Sequence, residues 1–430
     1  MRLGADRVDT SRKVTSATAA LSGLTGLNVL NYADRYVGAA MLPLILSSLA
    51  LTDAQGGLLQ SAFILSYSLV SPLAGWLGDR WNRFRLAAAG VFVWSAATIA
   101  SGLAPTYAAL LLARTVIGVG EASYAVVTPS LLSDLYPPDR RARVFAIFYA
   151  AIPVGTAVGY ALGGTVGETF GWRTAFFVAG VPGAVLALFL LGLTEPKRGA
   201  TDPPGSVSTV PVALGPSLRA LWARRSYLYN TGAQVLYTFA MGGMATWMPT
   251  YYVRERGLTL TEASTTFGVL LLVAGFLGTV VGGQLADRLA KRLDGAQFAV
   301  SGWGLVLSLF FMLGAVLAPS PLVFWPCTFV TLLLLFLNIG PLNAAMANVL
   351  PPDLRARGFA LSTMAMHLLG DAASPWVIGV VSDYVGLTAP ILGAGVMLAA
   401  AGVLLLVGRG ALDRDVAASP ASAPEVTKHS

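Results

Sequence analysis

The stretch "GWLGDRWNRFR", Gly75–Arg85, returns in altered form as "GGQLADRLAKR", Gly282–Arg292. Both contain G-x-L-[GA]-D-R followed by basic residues, and each closes a long apolar run. A second pair follows: "YPPDRRARVFA", Tyr136–Ala146, and "LPPDLRARGFA", Leu350–Ala360. The two matches are offset by 208 and 214 residues, so the chain reads as two halves of parallel topology. Many membrane carriers are built from internal repeats of this kind.

The composition agrees with a membrane setting. Of 430 residues, 55% are hydrophobic and 11% charged, whereas soluble domains carry about 25% charge. Mean hydropathy is +0.69. Twelve apolar windows of membrane-crossing length can be drawn: 18–45, 55–78, 86–103, 107–132, 143–165, 172–193, 227–250, 265–286, 297–318, 322–349, 357–381 and 389–408. The expected fold is therefore all-α and integral to the membrane, with twelve transmembrane helices in two six-helix halves. Residues 1–193 form the first bundle, 194–226 a cytoplasmic linker, 227–410 the second bundle and 411–430 a disordered tail. The linker is rich in Pro, Gly and Ser and should be flexible. Within it "SLRALWARRSY", Ser217–Tyr227, reads either as a short surface helix or as the start of span seven. The first span lacks a small-residue cleavage site and is expected to be retained.

The net charge of +7 is topology, not a nucleic-acid surface. Of 28 Lys and Arg, 23 fall in the tails and in the loops after even-numbered spans, 3 in the opposite loops (Arg173, Arg254, Arg256) and 2 inside spans (Arg35, Arg114). That asymmetry puts both termini in the cytoplasm, and a bacterial inner membrane is the expected location. Cys327 is the only cysteine, which excludes an intrachain disulfide and a cysteine-cluster metal site. No Ser/His/Asp order, HExxH, metal-ligand cluster or G-x-x-x-x-G-K-[ST] is present, so neither an enzyme nor an ATP-driven machine nor any cofactor is expected.

Twelve spans in two related halves, with G-x-L-x-D-R-x-x-R-x-R after span two, resemble the major facilitator superfamily. Span four adds "RTVIGVGEA", Arg114–Ala122, similar to that superfamily's R-x-x-x-G-x-G motif. Span five adds "GTAVGYALGG", Gly155–Gly164, which follows an antiporter pattern except that Tyr160 stands where the pattern has proline. "NYADR" in span one with "GEASY", Gly120–Tyr124, resembles the spinster group of lipid transporters. That resemblance implies alternating access, proton coupling and an amphipathic substrate such as a lysolipid or sphingoid phosphate, with membrane lipids around a monomer. An organic anion symporter or a drug-type antiporter of the same superfamily is the alternative.

The buried charges carry the chemistry. At ~1.5 Å per residue, Asp34 and Arg35 on span one and Arg114 on span four reach a shared depth, with Glu121 nearer the midplane. Arg114 and Glu121 are seven residues apart, hence on one face, with Gly118 between them leaving room for a neighbouring helix or a water. Asn31 projects between Asp34 and Arg35. A carboxylate that gains and loses an arginine takes up and releases a proton. Glu121 is the first choice for that role, Asp34 the second, with Arg35 and Arg114 as partners that could also meet a substrate phosphate. Two permanent ion pairs are the structural alternative. Substrate contacts are expected from Asn31, Arg35, Tyr124, Gln234, Tyr237, Met244 and Asn338, and from His367 and Asp371, an i, i+4 pair that reads as a proton relay or as a packing element. Asp79, Arg80 and Arg83, with Asp287 and Arg288 in the repeat, read as cytoplasmic gating groups. There Asp79 caps a helix or pairs with Arg140, Arg141 or Arg143.

Overall fold

The structure, a computed structural model, describes residues 17–201 and 214–418. The first half comprises α1 (Ala17–Ala40), the short α2 (Leu42–Ser48), α3 (Asp53–Arg80), α4 (Arg83–Leu103), α5 (Tyr107–Leu135), α6 (Pro138–Phe170) and α7 (Trp172–Leu191). α8 (Leu214–Trp222) precedes the second half. That half comprises α9 (Arg225–Arg256), α10 (Leu260–Leu289), α11 (Ala296–Leu317), α12 (Pro321–Phe336), α13 (Ile339–Val349), α14 (Pro352–Ala365), α15 (Ser374–Val385) and α16 (Thr388–Ala417). A π-helical turn, Met366–Asp371, joins α14 to α15.

Local chemistry sets the boundaries. Thr52 opens α3 with a capping box closed by Gln55, Thr106 opens α5 by accepting from the Ala109 amide, and Asn82 separates α3 from α4 by capping the latter. Gly171, Gly257 and Gly386 take positive φ where α6, α9 and α15 stop. Each sequence window falls on helix, but three are broken. Pro43 starts α2 after Met41, Asn338 separates α12 from α13, and the eleventh window contains the π turn. Among the described residues ten helical segments are long and apolar enough to cross a membrane. Ala17–Ala40 and Arg225–Arg256 are not among them, because they carry the polar side chains of the site described below.

The repeat recurs in three dimensions. The pairs α1·α6, α4·α5, α3·α5 and α4·α7 in the first half match α9·π turn, α11·α12, α10·α12 and α11·α16 in the second. Between halves, α6 packs on α10 and α3 on α15, and exchange of the halves interconverts these two contacts. The α3·α15 approach is backbone on backbone: a Cβ on Gly57 would stand 2.1 Å from the Pro375 carbonyl oxygen, and one on Gly379 2.3 Å from that of Asp53. Here glycine is required by proximity.

Two expectations need correction. The linker is not wholly free, for Glu195 and Arg198–Thr201 dock on the first bundle through Arg83, Asp134, Ser133 and the Gly78 carbonyl. The intended tail is helical through Ala417, and its residues 419–430 lie outside the described residues. α8 lies at the start of the second bundle with Leu221 fully buried against it and Trp222 exposed, a surface helix anchored by one leucine.

Candidate functional site

Asp34 and Arg35 are consecutive on α1, so their side chains leave the helix about 100° apart and face different neighbours. Asp34, 1% exposed, accepts from the Thr98 hydroxyl of α4 at 2.5 Å. Arg35 reaches α5, where Nη2 donates to Glu121 Oε2 at 2.8 Å. Glu121 is fully buried and the Arg35 side chain 16% exposed, so the pair is reached only through its cation, beside Tyr67, which meets His367 of the second half. The Arg35 guanidinium carbon lies 4.9, 5.0 and 5.2 Å from the rings of Tyr32, Phe63 and Tyr67. Three aromatic faces and one carboxylate thus replace its hydration.

Arg114 does not join this pair. Seven residues along one face of α5 correspond to about 10 Å of depth, and at its own level Arg114 donates from Nη2 to Gln60 Oε1 of α3 at 2.8 Å. Gly118 permits this, because a Cβ there would stand 2.2 Å from Ser66 Oγ and 2.3 Å from the Phe63 carbonyl. The space it leaves is taken by helix α3. The expected four-charge convergence therefore resolves into one ion pair and two charged groups held by neutral side chains. Asn31 Nδ2, Asp34 Oδ1 and Glu121 Oε1 are buried with no hydrogen-bond partner. Buried polar atoms are nearly always partnered, so this cluster stands out.

Across the interface, His367 and Asp371 occupy the π turn, with His367 Nδ1 3.1 and 3.0 Å from the two Asp371 oxygens. The wide turn closes through the Ala372 amide donating to the His367 carbonyl, and Tyr67 of the first half meets the His367 ring edge-on at 6.1 Å. Gln234, Tyr237 and Asn338 line a cavity of about 240 Å³ with Phe359 and Met366. Tyr124 and Met244 do not line it. Each is 1% exposed: Tyr124 donates to the Leu24 carbonyl at 2.5 Å inside the first bundle, and Met244 lies in the second core.

The halves are fastened at the Asp53 end of α3. Arg254 Nη1 of α9 donates to both Asp53 oxygens at 2.7 and 2.9 Å, and Ser382 of α15 donates to Asp53 Oδ2 at 2.7 Å. Asp383 caps α3 by accepting from the Asp53 and Ala54 amides at 2.7 and 3.0 Å. Glu168 accepts from the Thr261 amide in the same way at the start of α10, and the Tyr160 hydroxyl donates to the Ala245 carbonyl. At the other end Asp79 is 82% exposed and pairs with Arg198 at 4.0 Å, not with Arg140, Arg141 or Arg143. Arg83 is engaged deeply, with Asp134 at 2.6 Å and Glu195 at 2.7 Å. Arg80 stacks on Trp76, Arg140 lies 4.0 Å from Asp139, and Arg143, Asp287 and Arg288 are exposed.

A family model described as "Major Facilitator Superfamily" matches residues 24–375. The chain is 35% identical over 375 residues to a sphingosine-1-phosphate transporter, SPNS2, of Danio rerio, covering 83% of this chain and 74% of that one. It is 35% identical over 385 residues to protein spinster homolog 1 of Homo sapiens, covering 83% and 71%. This chain belongs to the major facilitator superfamily, in its spinster branch. Among solved structures, the bacterial homolog of the human lysosomal transporter spinster, crystallised in an inward-facing and unoccupied conformation, superposes with TM-score 0.84 at 24% identity, covering 93% of this chain and 98% of that one. The molecule is accordingly a multi-pass membrane transporter and not an enzyme.

Sequence reasoning missed the fastening at Asp53. Asp53 looks like an ordinary first-turn acid beside a capping threonine. The available signal was Arg254, one of only three basic residues on its side of the charge asymmetry. Charge-assisted bonds of this type contribute about 1.5–3 kcal/mol, so Asp53→Asn is expected to move the population toward separation at this end by on the order of tenfold. Spin labels in the α4–α5 and α11–α12 connections should report longer distances. Arg254→Gln should give the same change, and the double variant no more than either alone.

Proposed function

We propose that this transporter carries an amphipathic anion of the lysolipid or sphingoid-phosphate class by alternating access coupled to protons, and that Arg35 and Glu121 are the coupling pair. The observation that carries this is the asymmetry of the pair: a partly exposed arginine facing the interface and a fully buried carboxylate behind it, 2.8 Å apart. In this reading an anionic headgroup entering between the halves competes for the Arg35 fork. Glu121 then has no counter-charge within bonding distance in a low-dielectric site, and protonation removes the penalty. Headgroup and proton bind together. The relationship to SPNS2, named for sphingosine-1-phosphate transport, favours a lipid phosphate as the anion. The cavity of the second half lined by Gln234 and Tyr237 would take the tail, and the His367–Asp371 pair, which Tyr67 of the first half meets, would give a second polar contact. Asp34, held by Thr98, is the second proton site.

Under the positive-inside rule the basic Asp79 end is cytoplasmic and the Asp53 end faces outward. In this reading the arrangement is inward-facing, supported by the fastening of the outer end through Asp53, Arg254, Ser382 and Asp383. Asp79 and Arg83 would serve the opposite arrangement, in which the cytoplasmic ends meet.

Two outcomes are expected. In proteoliposomes, Glu121→Gln should abolish proton-driven accumulation while leaving counterflow exchange measurable; uptake with an unchanged pH dependence would contradict the assignment. Arg35→Lys keeps the charge but loses the planar fork. It should weaken a lysophospholipid or sphingoid phosphate by about tenfold or more while changing a neutral amphiphile little. Equal losses would make Arg35 a structural residue, and preference of the parent for a short sugar acid would move the substrate to the organic anion class.

A further inference from the structure

Arg114 has a charge that the coupling pair does not use. Its side chain is buried, 3% exposed, and among the described residues no carboxylate lies within ion-pair distance. Nη2 is satisfied by Gln60, but Nη1 is buried with no hydrogen-bond partner. The guanidinium forms one wall of a small cavity shared by Gly38 of α1, Leu59 and Gln60 of α3, Phe176 of α7 and Thr246 of α9. It has room for about one water-sized guest.

We propose that this cavity is a binding site for one small monovalent anion of the chloride type. The charge argues for it first: Asp34 and Glu121 act on Arg114 only from beyond ion-pair distance, and a buried charge is best stabilised by a partner in direct contact. One donor agrees, the unsatisfied guanidinium N–H, with Gln60 on the same wall; the Thr246 hydroxyl already donates to the Gly242 carbonyl at 2.9 Å and is not counted. A cation would face the guanidinium with no carboxylate on the lining. A lone water could take the same donor but would bring no counter-charge to the guanidinium. The site also depends on both halves, because Thr246 belongs to the second. An anion held there therefore favours the arrangement in which the Asp53 end is closed.

Gly38 gives a test that leaves Arg114 in place. A Cβ on Gly38 would sit 3.5 Å from Arg114 Nη1 and 3.7 Å from Phe176 Cζ, ordinary contact distances, so alanine fills the space beside Nη1 without a clash. The full-length protein in detergent is assayed for radiolabelled chloride binding by scintillation proximity, at constant ionic strength with sodium gluconate as the replacement salt. Saturable binding is expected in the parent, displaced by bromide but not by gluconate or sulfate. Gly38→Ala should weaken it by about tenfold or more, Arg114→Gln should abolish it, and Arg35→Lys should leave it unchanged. Chloride should also raise the unfolding temperature of the parent but not of Gly38→Ala. Absence of saturable binding in the parent overturns the proposal. So does chloride binding that Gly38→Ala leaves intact, or binding lost in Arg35→Lys and kept in Gly38→Ala, which would put the anion at the coupling pair.

Discussion

A guanidinium and a carboxylate 2.8 Å apart, one fully buried and the other boxed by three aromatic rings, impose the constraint around which the first bundle is arranged. Neither charge is tolerable alone at that depth: on the lenient insertion scale each costs about 2.5–3.5 kcal/mol in a membrane. Removing one partner of a buried pair typically destabilises by about 3–5 kcal/mol. One glycine of α5 follows from this requirement. Gly118 brings α3 close enough for Phe63 and Tyr67 to cover Arg35 and for Gln60 to reach Arg114. A site in which one polar partner can be exchanged for another is suited to coupling, because each exchange changes the protonation that the remaining group prefers.

The same economy of charge governs the two ends of the molecule. At the Asp53 end, carboxylates from α3 and α15 and an arginine from α9 join the halves, and two helix N-termini are capped across the interface by Asp383 and Glu168. Such contacts are short and polar, and Arg254, Asp383 and Glu168 reach solvent although Asp53 and Ser382 are buried, so water can replace them in part when the halves separate. At the Asp79 end, Arg83, Asp134 and Glu195 bind the linker to the first bundle and leave Asp79 exposed. The repeated G-x-L-[GA]-D-R string thus has different surroundings from the fastening at the opposite ends of the same helices.

The fold was legible because two signals are independent of side-chain detail: apolar windows of membrane length and a motif that returns after half the chain. Asp34, Arg35, Arg114 and Glu121 were legible for the same reason, as charges in apolar helices stand out. Their partners were not. Gln60, Thr98 and Tyr67 are ordinary polar residues, and whether each faces the site depends on helix rotation and approach that packing fixes. Tyr124 illustrates the error this produces, since a polar aromatic in a motif beside Glu121 turns away to bond the Leu24 carbonyl. The π turn was hidden as well, because one additional residue in a helical turn leaves the apolar pattern nearly unchanged. Glu195 and Arg198 looked like linker residues since their partners lie more than 60 positions earlier in the chain.

The central claim is that occupation of Arg35 by an anionic headgroup transfers a proton to Glu121. Infrared difference spectroscopy of the purified transporter, recorded on adding a lysophospholipid or sphingoid phosphate at neutral pH, observes that event directly. The expected result is a new protonated-carboxyl C=O band that is absent in Glu121→Gln and is not produced by a neutral amphiphile. Saturating binding of the anionic ligand with no such band, or a band that persists in Glu121→Gln, would contradict the account.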